Sequence, residues 1–139
     1  MSEGRGRIEC DEFLAHPPSV VWRAITDPGL QARWWAPGDV RPVVGHCFTL
    51  DLGGLGEMAC EVLAVEPERM IRYRLGGGSI DTILTWRLVP EGRGTRLLLM
   101  QEGFDFDSPL ARDVYERMNQ GWPIVLHRME PVLREFAIY

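Results

Sequence analysis

Between residues 47 and 102 the sequence is divided into short segments in which apolar and polar residues alternate. Because successive side chains of a β-strand point to opposite faces, this alternation predicts strands that each bury one face. Glycine- or proline-containing breaks separate the segments and predict turns between antiparallel neighbours. We expect four or five strands here, over residues 47–52, 58–63, 71–75, 80–88 and 95–102.

The residues before this run predict one strand and two short helices. Residues from about 7 to 15 have the mixed polar and apolar pattern of a strand. Pro17 and Pro18 suit the start of a helix, where the missing N–H costs nothing. Asp27 is a favourable N-cap for a second helix that runs to about residue 34 or 35.

The last segment predicts a long amphipathic helix. Ser108 can cap it, Pro109 can open it, and we expect it to run to about residue 136. Apolar residues recur three and four positions apart, as on one helical face: Val114, Met118, Trp122, Val125, Met129 and Leu133. An interior proline costs about 3 kcal/mol, so Gly121, Pro123 and Pro131 predict kinks. The order of elements predicts one α+β domain over residues 1–139.

Composition narrows the possible functions. All 15 basic residues are arginine, and the lack of lysine excludes Schiff-base and P-loop lysine chemistry. A net charge of −5 disfavours nucleic acid and anionic membranes as partners. The chain has neither a secretory start nor an apolar run of the roughly 18–20 residues that a membrane helix needs. We therefore expect a cytoplasmic protein in which Cys10, Cys47 and Cys60 are reduced.

Recognisable catalytic and metal-binding motifs do not emerge. His46 and Cys47 are adjacent, so in a strand they face opposite sides, and neither C-x-x-C nor H-x-x-x-H spacing occurs. We expect His16 to be an exposed turn residue and His127 to lie on the surface of the last helix. The glycine clusters at 53–56 and 76–78 join strands and predict turns. We therefore assign no catalytic residue, no metal and no cofactor.

Four motifs, in this order, resemble the family of activator-of-heat-shock-ATPase homologues. They are the opening helix at 17–28, LQARWWAP at 30–37, GTRLLLMQEGF at 94–104, and the pair Gly121-Trp122. The similarity extends over about residues 8–136. The family belongs to the superfamily of START domains, polyketide cyclases and pollen-allergen-like proteins. The resemblance implies a helix-grip fold, in which a curved antiparallel sheet holds the C-terminal helix and an apolar cavity lies between them.

This resemblance also implies which side chains face the cavity. Trp34 and Trp35 are expected near its mouth, while Val62, Leu97 and Met129 are expected to face the same interior. The predicted ligand-binding residues are Trp34, Trp35, Phe48, Leu50, Met58, Cys60, Tyr73, Leu84, Trp86, Leu99, Gln101, Met118, Trp122 and Val125.

The leading hypothesis is a binding protein for a hydrophobic small molecule, lipophilic or aromatic, such as a lipid or a polyketide-like metabolite. The alternative is a cavity enzyme of cyclase or hydratase type, with Glu57, Asp81 or Glu102 as candidate acid–base groups. A second alternative is a regulator of an Hsp90-type chaperone ATPase, but we expect no chaperone partner because the eukaryotic namesake engages the chaperone through an additional N-terminal domain. Because residues 97–100 are apolar on both strand faces, we expect the second face to be covered either by a homodimer contact or by the first two helices.

Overall fold

A computed structural model describes residues 5–78 and 80–136. Its strands form one antiparallel sheet in the order β1-β6-β5-β4-β3-β2. The strands are β1 (Arg5–Leu14), β2 (Cys47–Asp51), β3 (Glu57–Glu66), β4 (Met70–Gly77), β5 (Ile80–Glu91) and β6 (Gly94–Asp105). The alternating segments of the sequence are therefore the five strands β2 to β6, and β1 adds to β6 at the edge.

The register of the sheet turns the predicted apolar residues to a common inner face. Tyr73 on β4 is paired with Leu84 on β5, and Leu84 is paired with Gln101 on β6. Trp86 is paired with Leu99 one step along the same two strands. All five side chains are almost completely buried, which confirms the inward orientation expected for them.

Helices from both ends of the chain cover this inner face. They are α1 (Pro18–Thr26), α2 (Pro28–Trp34), α3 (Pro109–His127) and α4 (Met129–Phe136). Asp27 Oδ1 accepts the N–H of Leu30 at 3.2 Å, and Ser108 Oγ accepts the N–H of Ala111 at 3.2 Å. The two predicted N-caps are therefore formed, and each is followed by a proline at the first helical position.

The C-terminal helix differs from the prediction of one helix to residue 136. It divides at Arg128, between α3 and α4, while Pro123 stays inside α3. Pro131 explains the position of the break, because a proline has no N–H for the carbonyl four residues earlier, at His127, and its ring clashes with that carbonyl. In the first turn of a new helix the same proline is tolerated.

The side chains of α3 that face the sheet are Val114, Met118, Trp122 and Leu126. Among the described residues no helix is both long and apolar enough to cross a membrane. The architecture is the α+β arrangement predicted from the sequence: two short helices after the first strand, a six-stranded antiparallel sheet, and a long helix near the C-terminal end.

Candidate functional site

Tryptophan rings fill much of the space between the sheet and α3. Trp34 at the end of α2, Trp35 directly after it, Trp86 on β5 and Trp122 on α3 form this tryptophan cluster. The ring centroids lie 5.7 Å apart for Trp34 and Trp86, 5.6 Å for Trp86 and Trp122, and 5.0 Å for Trp35 and Trp122. These distances are within the range of favourable aromatic pairs. Only Trp35 keeps appreciable exposure, so it is the point at which the cluster meets solvent.

Hydrogen bonds hold the buried edge of the cluster. Trp122 Nε1 donates to Gln101 Oε1 at 2.9 Å, and Gln101 Nε2 donates to Thr82 Oγ1 at 3.1 Å. Thr82 in turn donates its hydroxyl proton to the carbonyl of Leu75 at 2.8 Å. Because buried polar groups are costly without partners, this chain allows an amide and a hydroxyl to lie inside an apolar core. It also fixes the orientation of the Trp122 ring.

The titratable groups of this interior are held neutral. Trp86 Nε1 donates to the hydroxyl of Tyr73 at 3.2 Å. Burial raises the pKa of Tyr73 well above its ordinary value, although the Trp86 hydrogen bond offsets part of the rise. Burial also raises the pKa of Cys60 to about 12. Neither group ionises near neutral pH, so this part of the interior offers hydrogen bonds and apolar surface.

A cleft of about 440 Å³ opens beside Trp35 and Trp122. This size falls within the range of roughly 300–1,000 Å³ that is typical of small-molecule sites. Its walls are α3, the segment after α2, and the turn between β2 and β3. The lining residues are Trp35, Pro37, Asp51, Leu52, Gly53, Leu55, Arg117, Met118, Gly121, Trp122, Val125 and Arg128.

Three charged residues line this cleft: Asp51, Arg117 and Arg128. Asp51 Oδ1 accepts the N–H of Gly53 at 3.0 Å and so holds the β2–β3 turn. Arg117 forms an ion pair with Asp113, with Nε and Oδ2 3.1 Å apart. Arg128 is exposed and forms no ion pair with any of the described residues. The α3 side of the cleft therefore carries an arginine whose charge is available to a ligand.

The structure separates the predicted ligand-binding residues into two groups. Trp35, Met118, Trp122 and Val125 line the cleft. The others lie among the buried side chains: Trp34, Phe48, Leu50, Met58, Cys60, Tyr73, Leu84, Trp86, Leu99 and Gln101. Contact between these residues and a ligand stays a prediction.

The expected position of Trp34 at the mouth is wrong. Its side chain is 1% exposed, and its Nε1 donates to the carbonyl of Ala24 at 2.9 Å. The hydrogen bond to α1 turns this ring into the core. Trp35, one residue later, has its ring 6.0 Å from that of Trp34 and lines the cleft instead.

The β2–β3 turn is a part of the site that the sequence pattern did not predict. Residues 53–56 were expected only to connect strands, but Gly53–Leu55 forms a 3₁₀ turn beside the cleft. Leu52 and Leu55, which both line the cleft, are the signal that could have been used. An apolar residue inside a glycine-rich turn needs cover, and here α3 supplies the opposite wall.

The histidines lie outside the cleft. His16 was expected to be exposed, but its side chain is 13% exposed because α4 places Glu130 Oε2 3.2 Å from its Nε2. His127 is exposed as expected, and its Nδ1 lies 3.4 Å from a Glu12 carboxylate oxygen. His46 stacks on Phe48 with ring centroids 5.6 Å apart. Within residues 5–78 and 80–136, no group of three potential metal-ligand side chains occurs.

Comparison with known proteins places this geometry in a family. Residues 15–134 match the family described as activator of Hsp90 ATPase homolog 1-like protein. The crystal structure of protein MLL2253 from Mesorhizobium loti is similar, with 32% sequence identity and a TM-score of 0.85. That similarity covers 94% of this chain and 98% of the M. loti chain. Among curated proteins, none matches the sequence significantly.

More distant structures share the fold. DynU16, from the dynemicin biosynthetic locus, has 21% identity and a TM-score of 0.78, over 92% of this chain and 47% of DynU16. PFC0360w, an HSP90 activator from Plasmodium falciparum, has 22% identity and a TM-score of 0.75, over 91% and 95% of the two chains. The resemblance inferred from the sequence motifs is thus confirmed by both sequence and architecture: the chain belongs to the activator of Hsp90 ATPase homolog 1-like family.

Proposed function

We propose that this protein binds a small lipophilic or aromatic molecule in the cleft beside Trp35 and Trp122. The observation that carries the proposal is the pair of tryptophan rings in the cleft wall, with centroids 5.0 Å apart and planes inclined by 48°. Large aromatic faces bury much apolar area at a fixed geometry. Met118 and Val125 extend this surface along α3, and the methionine side chain adapts to ligands of different shape.

The charged residues of the cleft support a ligand with one acidic end. Arg128 is exposed and forms no ion pair among the described residues, so its guanidinium can pair with a carboxylate, sulfonate or phosphate group. Arg117 already has Asp113 as a partner and contributes less free charge. The site thus favours a molecule whose apolar body rests on the rings and whose anionic group points to solvent.

The polar groups near this site support binding over catalysis. The fully buried polar side chains that connect to Trp122 are the Gln101 amide and the Thr82 hydroxyl, and neither is a carboxylate. The acid–base candidates lie elsewhere: Glu57 and Asp81 are exposed, and Glu102 is half-buried on the opposite face of the sheet. The one carboxylate in the cleft wall, Asp51, holds the turn through Gly53. A cyclase or hydratase therefore has less support than a binding protein.

The second alternative, regulation of a chaperone ATPase, has no residue in the cleft that argues for it. PFC0360w is an HSP90 activator, but the 22% identity with this chain supports a common fold alone. A pull-down with a chaperone ATPase, followed by an assay of its ATP hydrolysis, tests this alternative directly.

The binding proposal is tested with 8-anilinonaphthalene-1-sulfonate, an aromatic sulfonate that fits both the apolar rings and Arg128. Energy transfer from tryptophan to this probe reports binding. We expect saturable binding of one probe per chain, and a dissociation constant raised about tenfold or more by Val125→Arg, which fills the cleft with a charged side chain. The matched control is Ile124→Arg, because Ile124 is 58% exposed and lies outside the cleft.

Equal affinity of the Val125→Arg variant and the unchanged protein would overturn the cleft as the site. Native mass spectrometry of the protein as purified gives a second readout. An apolar mass that is present on the unchanged protein and lost from Val125→Arg supports the proposal. Retention of that mass by the variant contradicts it.

A further inference from the structure

The outer face of the sheet, which points away from the helices, carries exposed apolar side chains. Phe13 on β1 is 46% exposed and Val89 on β5 is 45% exposed. Leu98 and Met100 on β6 lie between these two strands and are partly buried. Leu98 and Met100 line a shallow cleft of about 570 Å³. The helices cover the inner face, so none of the described helices packs over this apolar surface, although the Arg96 guanidinium lies 5.7 Å from the centre of the Phe13 ring.

The register arranges this face in rows across β1, β6 and β5. Each row contains one outward side chain from each strand, in that order. The rows are Phe13-Arg96-Val89, Asp11-Leu98-Arg87 and Glu9-Met100-Thr85. The β6 positions of the second and third rows are therefore an apolar stripe, with β1 on one side and β5 on the other.

Charges of opposite sign flank the stripe. On the β1 side lie the carboxylates of Glu9 and Asp11, together with Arg7, which pairs with Glu9. On the β5 side lies Arg87, and Arg72 of β4 reaches over β5 by donating from Nε to Thr85 Oγ1 at 3.2 Å. A surface that is acidic on one side and basic on the other can pair with a copy of itself, provided that the copy is turned to bring unlike sides together.

We propose that two copies of this chain form a homodimer through these outer faces, with a two-fold axis parallel to β6. That axis places β1 of one copy opposite β5 of the other. Asp11 then faces Arg87 of the second copy, and Phe13 faces Val89 of the second copy. Leu98 and Met100 meet their own counterparts near the axis. Arg96 of β6 also lies opposite its counterpart, and its charge is balanced by Glu91 and Asp11 of its own copy. A two-fold axis across the strands instead places the Asp11 side against itself, which like-charge repulsion disfavours.

The existing ion pairs leave this arrangement available. Arg7 pairs with Glu9 and Arg96 pairs with Asp11, at 2.7 and 3.6 Å, but the side chains of Glu9 and Asp11 are 58% and 61% exposed. Exposed pairs of this kind are weak and rearrange readily. Arg87 is exposed and has no ion-pair partner among the described residues. In the dimer, Asp11 of the second copy supplies that partner at both symmetric positions.

The test uses charge reversal and sedimentation equilibrium. The unchanged protein is expected to sediment at twice 15.8 kDa. Asp11→Arg alone and Arg87→Asp alone each place like charges at two symmetric positions, so each is expected to raise the dimer dissociation constant about 100-fold. An equimolar mixture of the two single variants is expected to form a heterodimer, because both of its cross-pairs are again between unlike charges.

The control is Glu116→Arg, which reverses an exposed charge on α3, away from the proposed interface, and should leave the mass unchanged. A monomeric unchanged protein overturns the proposal. A dimer that resists both single reversals also overturns it, since the interface then lies elsewhere. If the two variants are folded by circular dichroism but their mixture stays monomeric, the pairing of β1 with β5 is wrong.

Discussion

Polar side chains are buried and hydrogen-bonded on the inner face of the sheet, but charged and exposed on much of its outer face. On the inner face each buried polar group of the Trp122–Gln101–Thr82 chain has a partner within the same core. On the outer face, charged side chains pair weakly at the surface and flank the apolar stripe of Leu98 and Met100. Because β6 supplies side chains to both faces, its apolar character on two sides reflects a packed interior on one side and a proposed contact surface on the other.

The largest expected difference between the faces is in stability. Trp86 is fully buried on β5 and contacts three other tryptophan rings. Trp86→Ala should lower the free energy of unfolding by about 3–5 kcal/mol, measured by guanidinium denaturation. Val89→Ala, on the outer face of the same strand, should change it by no more than about 0.5 kcal/mol at a concentration where the protein is monomeric. Similar losses of unfolding free energy in both variants would contradict this difference between the two faces.

A smaller effect is expected from alkaline pH, and it belongs to the inner face. The pKa of Cys60 is about 12 in the folded protein, against an ordinary value of 9.0. The contribution of this thiol to the free energy of unfolding is therefore fully present below pH 9. It is lost as pH rises toward 12, by about 1.4 kcal/mol per pH unit. Cys60→Ala should flatten the decline of unfolding free energy between pH 9 and 10. Cys47→Ala, at an exposed cysteine, should leave it unchanged.

The smallest effect is expected from acid pH and belongs to the outer face. Arg96 holds the pKa of Glu91 below its ordinary value through two hydrogen bonds, at 3.2 and 2.9 Å. A depressed pKa contributes stability above the ordinary value of 4.5 that is lost as pH falls. Glu91→Gln should therefore be slightly less stable than the unchanged protein at pH 7, with the difference gone at low pH. If Glu91→Gln changes the pH dependence of the unfolding free energy more than Cys60→Ala does, this ranking is wrong.

The sequence predicted what depends on local pattern. Leu84 and Trp86 occupy alternate positions of one strand, and their burial follows once the strand is formed. The caps at Asp27 and Ser108 are likewise decided within a few residues. The break at Arg128 was partly predictable, since prolines signalled an interruption, but Pro123 and Pro131 could not be ranked by their position in the sequence alone.

The site was less predictable because it depends on packing between distant segments. Trp34 and Trp35 are neighbours in sequence, and the rotation of α2 against α1 decides which ring is buried. Leu55 became part of the cleft because the β2–β3 turn lies opposite α3. The resemblance to the family predicted a cavity between sheet and helix, but the size of the four tryptophan rings that meet in this space moves the open volume toward its edge.

Pairing of the first strand with the last has a consequence for how the chain folds. Leu14 of β1 lies opposite Thr95 of β6, whereas the strands from β2 to β6 pair with their neighbours in sequence. Local hairpins close quickly, while closing a long loop costs more entropy and slows folding. We therefore expect the hairpins of β2 to β6 to form first and β1 to join the sheet last.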